Sequence, residues 1–318
     1  MRKQLADGNL LLILRRVQKR AQLIPQAQLA CLQRAQREHP HHQRLGNRGN
    51  VKARLFHGLR FALIRAQPTV RAAKQDALAP PGQQHRRRKR SAFHSRAHGS
   101  KKYLIASLDQ SLARMGLSYV DLFYHHRPDP ETPIEETAEA LEQIVRQGKA
   151  LYIGLSNYSA AQTDAMLAEL DRRGLHCLIH QMRYSMLARE PEMGLFATLK
   201  HHGVASIAFS PLAQGLLTAK YLGGVPTDSR MSLGHTSLKA QDLTEKRLEQ
   251  LRLLNQLAAE RGQSLAQLAL GWALRDGGAD TLIVGARNPE QLGDSLQTLS
   301  QPALTAEECD RIDRILLD

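Results

Sequence analysis

Acidic residues and large aromatics are nearly missing from the first hundred residues of this 318-residue chain. Residues 1–100 hold three acids (Asp7, Glu38 and Asp76) against 22 Lys and Arg, a formal +19. They hold no Tyr and no Trp; Phe56, Phe61 and Phe93 are their only large aromatics. The other 218 residues carry 22 basic and 27 acidic side chains, a formal −5, so the whole +14 excess belongs to the first third. Cysteine is also scarce. Cys31, Cys177 and Cys309 lie far apart and form no CxxC pair, which excludes a disulfide framework and a thiolate metal site and suits a reducing compartment. No apolar run approaches the ~20 residues of a membrane helix. Leu10–Leu14 follows a charged start but is too short for a secretory signal. With only Ser91, Ser95 and Ser100, the first third is also too poor in serine for an organelle leader, so a cytoplasmic location and no membrane partner are expected.

The first third is rich in Arg, Gln, Ala and His, with a Pro80–Gly82 turn and the basic run Arg86–Arg90. Clustered positive charge attracts phosphates. Without rings to stack bases, however, such a run reads as a solvated or disordered stretch, and no nucleic-acid partner is expected. Leu10–Leu14 and Leu59–Ile64 each suit a short helix or a buried strand, and periodicity does not choose between them. Arg/Gln/His/Ala-rich text without Tyr or Trp is what a GC-rich gene yields when read out of frame. Residues 1–99 are thus expected to be a separate basic segment.

From residue 100 a βα rhythm begins. Ile105, Leu108, Leu112 and Met115 recur at helical spacing and Gly116 closes that segment. Strands are expected at Tyr119–Tyr124, Ala150–Leu155, Cys177–His180, Val204–Phe209 and Thr281–Val284. Helices should follow each: a capping box at Thr132–Glu135 with Pro133 at the first helical position, then Ser159–Arg173, Met193–His201, two between Leu243 and Arg275, and one capped at Asn288. An irregular Gly-rich insertion spans Gln214–Thr236. Five strands alternating with helices imply a parallel sheet, with polar residues clustered just past the strand ends.

At those strand ends the chain resembles the aldo-keto reductases, (β/α)8 TIM barrels of the α/β class that use NADPH, and most of all their L-glyceraldehyde 3-phosphate reductase and potassium-channel β-subunit branch. The matching text is Asp121–Pro128, Gly148–Asn157, Gln181 with Tyr184 and Ser185, Phe209–Leu212 and Val284–Asn288. The resemblance implies reduction of small aldehydes or ketones, such as glyceraldehyde 3-phosphate or methylglyoxal, with NADP as cofactor and a homo-oligomer as a possible assembly. It places His126 at the substrate carbonyl and Ser156, Asn157 and Gln181 at the nicotinamide carboxamide. Phe209 would flank the nicotinamide. Ser210, Leu212 and Gly215 would line the pyrophosphate path, Arg230 and Arg287 the adenosine 2′-phosphate, and Gln291 the adenine-ribose end; Gly285 is also placed among the cofactor-binding residues. No metal is implied. On spacing alone, Ser156, Asn157 and Gln181 equally suit capping and turn roles, and Arg230 a solvated loop.

The family's other three catalytic groups are an acid Tyr, a Lys that lowers its pKa and the Asp paired with that Lys. They belong before residue 100, where no matching text exists. Residues 100–318 are therefore expected to form the last five βα units of an incomplete barrel, with both sheet edges unpaired and catalysis impaired. The alternative is a non-catalytic barrel remnant whose basic arm binds nucleic acid or an acidic partner.

Overall fold

The structure, a computed structural model, describes residues 99–225 and 243–317, together with the backbone of residues 10–15 and 61–63. Each helix after the seam starts and stops on local chemistry. In α1 (Lys101–Met115) the Ser100 hydroxyl accepts from the Tyr103 N–H, and Gly116 ends the helix at φ 65°, where glycine carries no Cβ penalty. Strand β3 (Val120–His125) follows, buried along its length. In α2 (Ile134–Arg146) the expected capping box does not form: Pro133 is itself the N-cap and no side chain caps the helix. The Thr132 hydroxyl donates instead to Asp129 Oδ2 at 2.8 Å. That carboxylate also takes the Gly99 N–H, so it competes successfully for the capping group.

The rhythm then continues as expected. Strand β4 (Ala150–Ser156) leads to α3 (Ala160–Arg172), which opens with a reciprocal box between Ser159 and Gln162. Strand β5 (Cys177–Arg183) precedes α4 (Leu195–His201), and β6 (Ala205–Phe209) precedes α5 (Glu245–Glu260) and α6 (Leu265–Ala273). Strand β7 (Thr281–Ala286) runs into α7 (Pro289–Gln297), where Asn288 accepts from the Gln291 N–H. A last helix, α8 (Ala306–Leu317), was not foreseen from the sequence. It is amphipathic, with Ile312 fully buried and Ile315 and Leu316 packed against the core.

Strands β3 to β7 pair in parallel and in chain order, so each βα unit lies beside the next. Five such units are part of a (β/α)8 barrel; among the described residues the sheet stays open. The expectation of two unpaired edges is corrected here. Leu10–Arg15 (β1) pairs antiparallel with β7, and Phe61–Leu63 (β2) pairs parallel with β3. Both apolar runs of the first third are thus strands, because each meets an edge whose free N–H and C=O groups template pairing. An antiparallel β1 departs from the all-parallel order of a (β/α)8 barrel.

The core lies between the sheet and its helices. It joins Phe123, Ile153 and Leu155 to Leu141, Ile144, Met166 and Leu170, all essentially inaccessible to water. A fully buried side chain of this size contributes about 1.5–3 kcal/mol of transfer free energy. At the far side, Trp272 stacks on Tyr184 at 5.4 Å between centroids, and the Arg275 guanidinium lies 3.7 Å above it. Glu192 accepts from the Tyr184 hydroxyl and from Arg189 and Arg275, while Arg189 also reaches Asp313 and so ties α8 to the barrel. Arg173 bridges α2 and α3 through Glu142 and Glu169. Among the described residues no helix is long and apolar enough to cross a membrane, and no cluster of three His, Cys, Asp or Glu side chains could hold a metal.

Candidate active site

Register assembles the site. Tyr124 stands opposite Gly154, Gly154 opposite Ile179, and Ser156 opposite Gln181. Side chains alternate along a strand, so Tyr124, Gly154, Ser156 and Gln181 share one face. Two contacts bear this out: the Tyr124 hydroxyl hydrogen-bonds the Gln181 side chain, and the Tyr124 ring lies across Gly154. A Cβ added at Gly154 would stand 2.6 Å from two carbons of that ring and 3.1 Å from the Ile179 carbonyl oxygen. Gly154→Ala should therefore cost about 1–3 kcal/mol, since overpacking a rigid core forces its neighbours to move. Thermal unfolding of the purified variant checks this.

His126 follows the last residue of β3 and is half-buried. Its carbonyl accepts from Asn157 Nδ2 at 2.9 Å, and the same amide donates to Ser156 Oγ at 3.0 Å. The Asn157 N–H donates to the Gln181 carbonyl at 3.1 Å. His126, Ser156, Asn157 and Gln181 therefore form one connected group across the ends of β3, β4 and β5. Ser156 and Gln181 are buried, whereas Asn157 is exposed.

The neighbouring histidine takes the other face. His125 is buried and its Nδ1 lies 2.5 Å from the Tyr158 hydroxyl. Burial lowers its pKa to about 4, opposed by the Asp129 charge and assisted by His126. His180, also buried, packs edge-on to Tyr158 and is lowered to about 4 by burial. Burial likewise raises the Tyr124 and Tyr158 hydroxyls and pushes the Cys177 thiol up to about 12, so Cys177 is an inert core residue.

Past β6 the backbone is strained. Ser210, Ala213 and Gln214 have φ of 56°, 46° and 60°, and Gly215 has φ of 100°. With Asn157 at 59°, these are all the non-glycine residues of positive φ among those described, and each follows the end of β4 or β6. Phe209, Ser210, Leu212 and Gly215 are half-buried along this loop. Arg287 and Gln291 are exposed at the start of α7, where the Arg287 N–H donates to Gln291 Oε1 at 3.0 Å, and Gly285 is exposed in β7. Gln291 thus spends its side-chain oxygen on the helix cap. Arg230 lies outside the described residues.

Tyr124 and Gly154 were missed in the sequence. Counting back two residues from His126 and from Ser156 would have put both on the site face.

A strand-end site of this kind on a parallel βα sheet is the arrangement of α/β enzymes, barrels among them. The chain belongs to the aldo/keto reductase family, whose sequence model matches residues 90–317. It is 50% identical over 224 residues to the L-glyceraldehyde 3-phosphate reductase of Escherichia coli O157:H7, covering 69% of this chain and 65% of that protein. To a putative voltage-gated potassium channel subunit beta of Schizosaccharomyces pombe it is 36% identical over 223 residues, 68% of this chain and 65% of the other. Among solved structures, a thermostable aldo-keto reductase, Tm1743, crystallised with the inhibitor epalrestat, superposes with a TM-score of 0.54 at 28% identity, over 69% of this chain and 68% of that one. The chain spans about 65% of the length of the curated reductases it matches.

Proposed function

We propose that residues 100–318 carry the cofactor-binding half of an NADPH-dependent reductase of small aldehydes and ketones, and that this chain lacks the groups that complete the reaction. The observation that carries the reading is the clustering of every described non-glycine residue of positive φ at the ends of β4 and β6. Strained backbone of this kind costs roughly 1–3 kcal/mol per residue and persists where function holds it.

The residues present fit a nicotinamide dinucleotide. A carboxamide has one acceptor and two donor hydrogens, and Ser156, Asn157 and Gln181 offer both kinds of partner. Gly215 lets backbone approach a phosphate: where its Cβ would stand, the nearest atom is Tyr221 Cε2 at 3.6 Å. Arg287 and the N-terminus of α7 suit a 2′-phosphate through a guanidinium fork and the helix dipole. When bound, the nicotinamide supplies hydride to a carbonyl carbon. His126 would hold the carbonyl oxygen by hydrogen bond and orient it. The proton for that oxygen has no donor of the family's kind in this chain. All seven tyrosines follow residue 102, and no Lys or Asp before residue 100 stands in matching text. Tyr124 shares the site face, but burial raises its hydroxyl further above neutrality and makes it a poor acid.

The relatives named for L-glyceraldehyde 3-phosphate support a phosphorylated three-carbon aldehyde as the intended substrate. Apart from the two edge strands β1 and β2, residues 1–99 are read as a basic segment of out-of-frame origin. Fluorescence titration with NADPH tests the binding half. Saturable binding is expected, and Asn157→Ala should weaken it about tenfold through the lost amide and the added strain at φ 59°. Unchanged affinity in that variant would overturn the assignment.

A further inference from the structure

We infer that the Tyr158 hydroxyl and the His125 imidazole form a positioning clamp for the candidate site, an inference that rests on the reading of that site just given. His125 precedes His126, and Tyr158 follows Asn157. Two hydrogen bonds therefore tie the same pair of strand ends together, one on each face. On the site face, Asn157 Nδ2 donates to the His126 carbonyl at 2.9 Å. On the helix face, His125 Nδ1 and the Tyr158 hydroxyl meet at 2.5 Å. Between these two bonds the chain turns through Asn157 at φ 59°, a left-handed conformation that Asn tolerates better than other side chains except glycine.

The helix-face pair is costly where it stands. His125 is 2% exposed and, among the described residues, its Nε2 has no hydrogen-bond partner; His180, 0% exposed and packed edge-on to Tyr158, has none among them at either ring nitrogen. An unsatisfied buried polar atom is penalised, whereas an apolar pair of the same shape would serve stability as well. Stability alone thus does not account for a His–Tyr pair in this layer. Direction does: just past the His125–Leu155 end of the β3–β4 ladder, a hydrogen bond fixes where Tyr158 stands relative to His125, which an apolar contact would define less sharply. The Tyr158 ring fills its space in the core, and its hydroxyl sets where Asn157 stands relative to His126. His125 and Tyr158 do not face the bound groups, so both act through their neighbours.

The full chain carrying Tyr158→Phe tests this, because Phe keeps the ring contacts and removes only the hydroxyl. The Asn157 amide, bonded to the Gln181 carbonyl, is the reporter. Its hydrogen exchange should speed up about tenfold while amides of α6 are unchanged, and the NADPH dissociation constant should rise by a similar factor. His125→Leu should give the same pattern from the other side. His125→Asn, whose side-chain amide can replace Nδ1, should restore exchange to within about threefold of the parent. Exchange rising equally throughout the sheet, or staying unchanged at Asn157, would overturn the clamp, as would loss of the whole fold in both Tyr158→Phe and His125→Leu. If the parent chain binds no NADPH, the reading of the site fails, while the exchange pattern still decides the clamp.

Discussion

Lowering the pH from 7 to 5 should remove about 4 kcal/mol from the stability of the barrel portion, about 2 kcal/mol from each of two buried histidines. His125 and His180 both have pKa values near 4 in the fold, chiefly because burial disfavours their charged forms. In the unfolded chain each returns to about 6.5. The folded value is depressed, so between pH 6.5 and 4 the unfolded state binds more protons. Stability is therefore full above about pH 6.5 and falls as the pH drops, at about 1.4 kcal/mol per unit for each ring, until the folded histidines themselves titrate near 4. The carboxylates Glu169 and Glu260 are also held low by their arginine partners, and Glu192, against its burial, by the Tyr184 hydroxyl and then Arg189 and Arg275; they lose their contribution at still lower pH. Urea denaturation midpoints at pH 7, 6 and 5 would measure this. His180→Leu, which keeps an apolar ring-sized group in the layer, should halve the slope; an unchanged slope would show that the ring titrates normally.

Turnover carries the other large effect. On the proposal that this chain lacks the family's general acid, NADPH oxidation with methylglyoxal or glyceraldehyde should fall by at least ~10²–10⁴ relative to an intact reductase. The loss is deeper if the missing strand ends also help to seat substrate, because misplacing reacting groups forfeits proximity as well. Replacing residues 1–98 with the corresponding N-terminal part of the Escherichia coli reductase should supply the Asp, Tyr and Lys that the family resemblance places there. At 50% identity over the rest of the chain the join is a conservative one, and the chimera should regain turnover. A chimera that folds and binds NADPH yet stays inactive would place the defect after residue 99 instead.

Fold and site were legible in the sequence to different depths. All five βα strands could be located within two or three residues at their ends, because buried parallel strands read as short apolar runs bounded by Gly and capping residues. Asn288 and Ser159 announced their helices, for the side-chain oxygen that caps is also the one with few other local uses. Thr132 looked the same and did something else, since no spacing rule reveals that Asp129 lies within reach of its hydroxyl. Leu10–Leu14 and Leu59–Ile64 were ambiguous for a different reason. A short apolar run becomes a strand only when an edge is there to receive it, and the edges of β3 and β7 are set by residues more than fifty positions away. Within the site, His126, Ser156, Asn157 and Gln181 could be named from their motifs, but the strain at Ser210, Ala213 and Gln214 could not. Nothing in the text Ser-Pro-Leu-Ala-Gln-Gly marks three non-glycine residues as left-handed. The His125–Tyr158 bond was equally hidden, because the partners lie 33 positions apart and meet only when β3 and β4 pair.

The most direct measurement follows binding and turnover in one sample of the 318-residue chain. NADPH fluorescence would be titrated to saturation, methylglyoxal added, and absorbance at the nicotinamide band followed for hours. A cofactor half without its acid predicts saturable binding and a flat trace. Steady oxidation at an ordinary enzymatic rate, roughly 1–10³ per second, would contradict it and require a proton donor among residues 100–318.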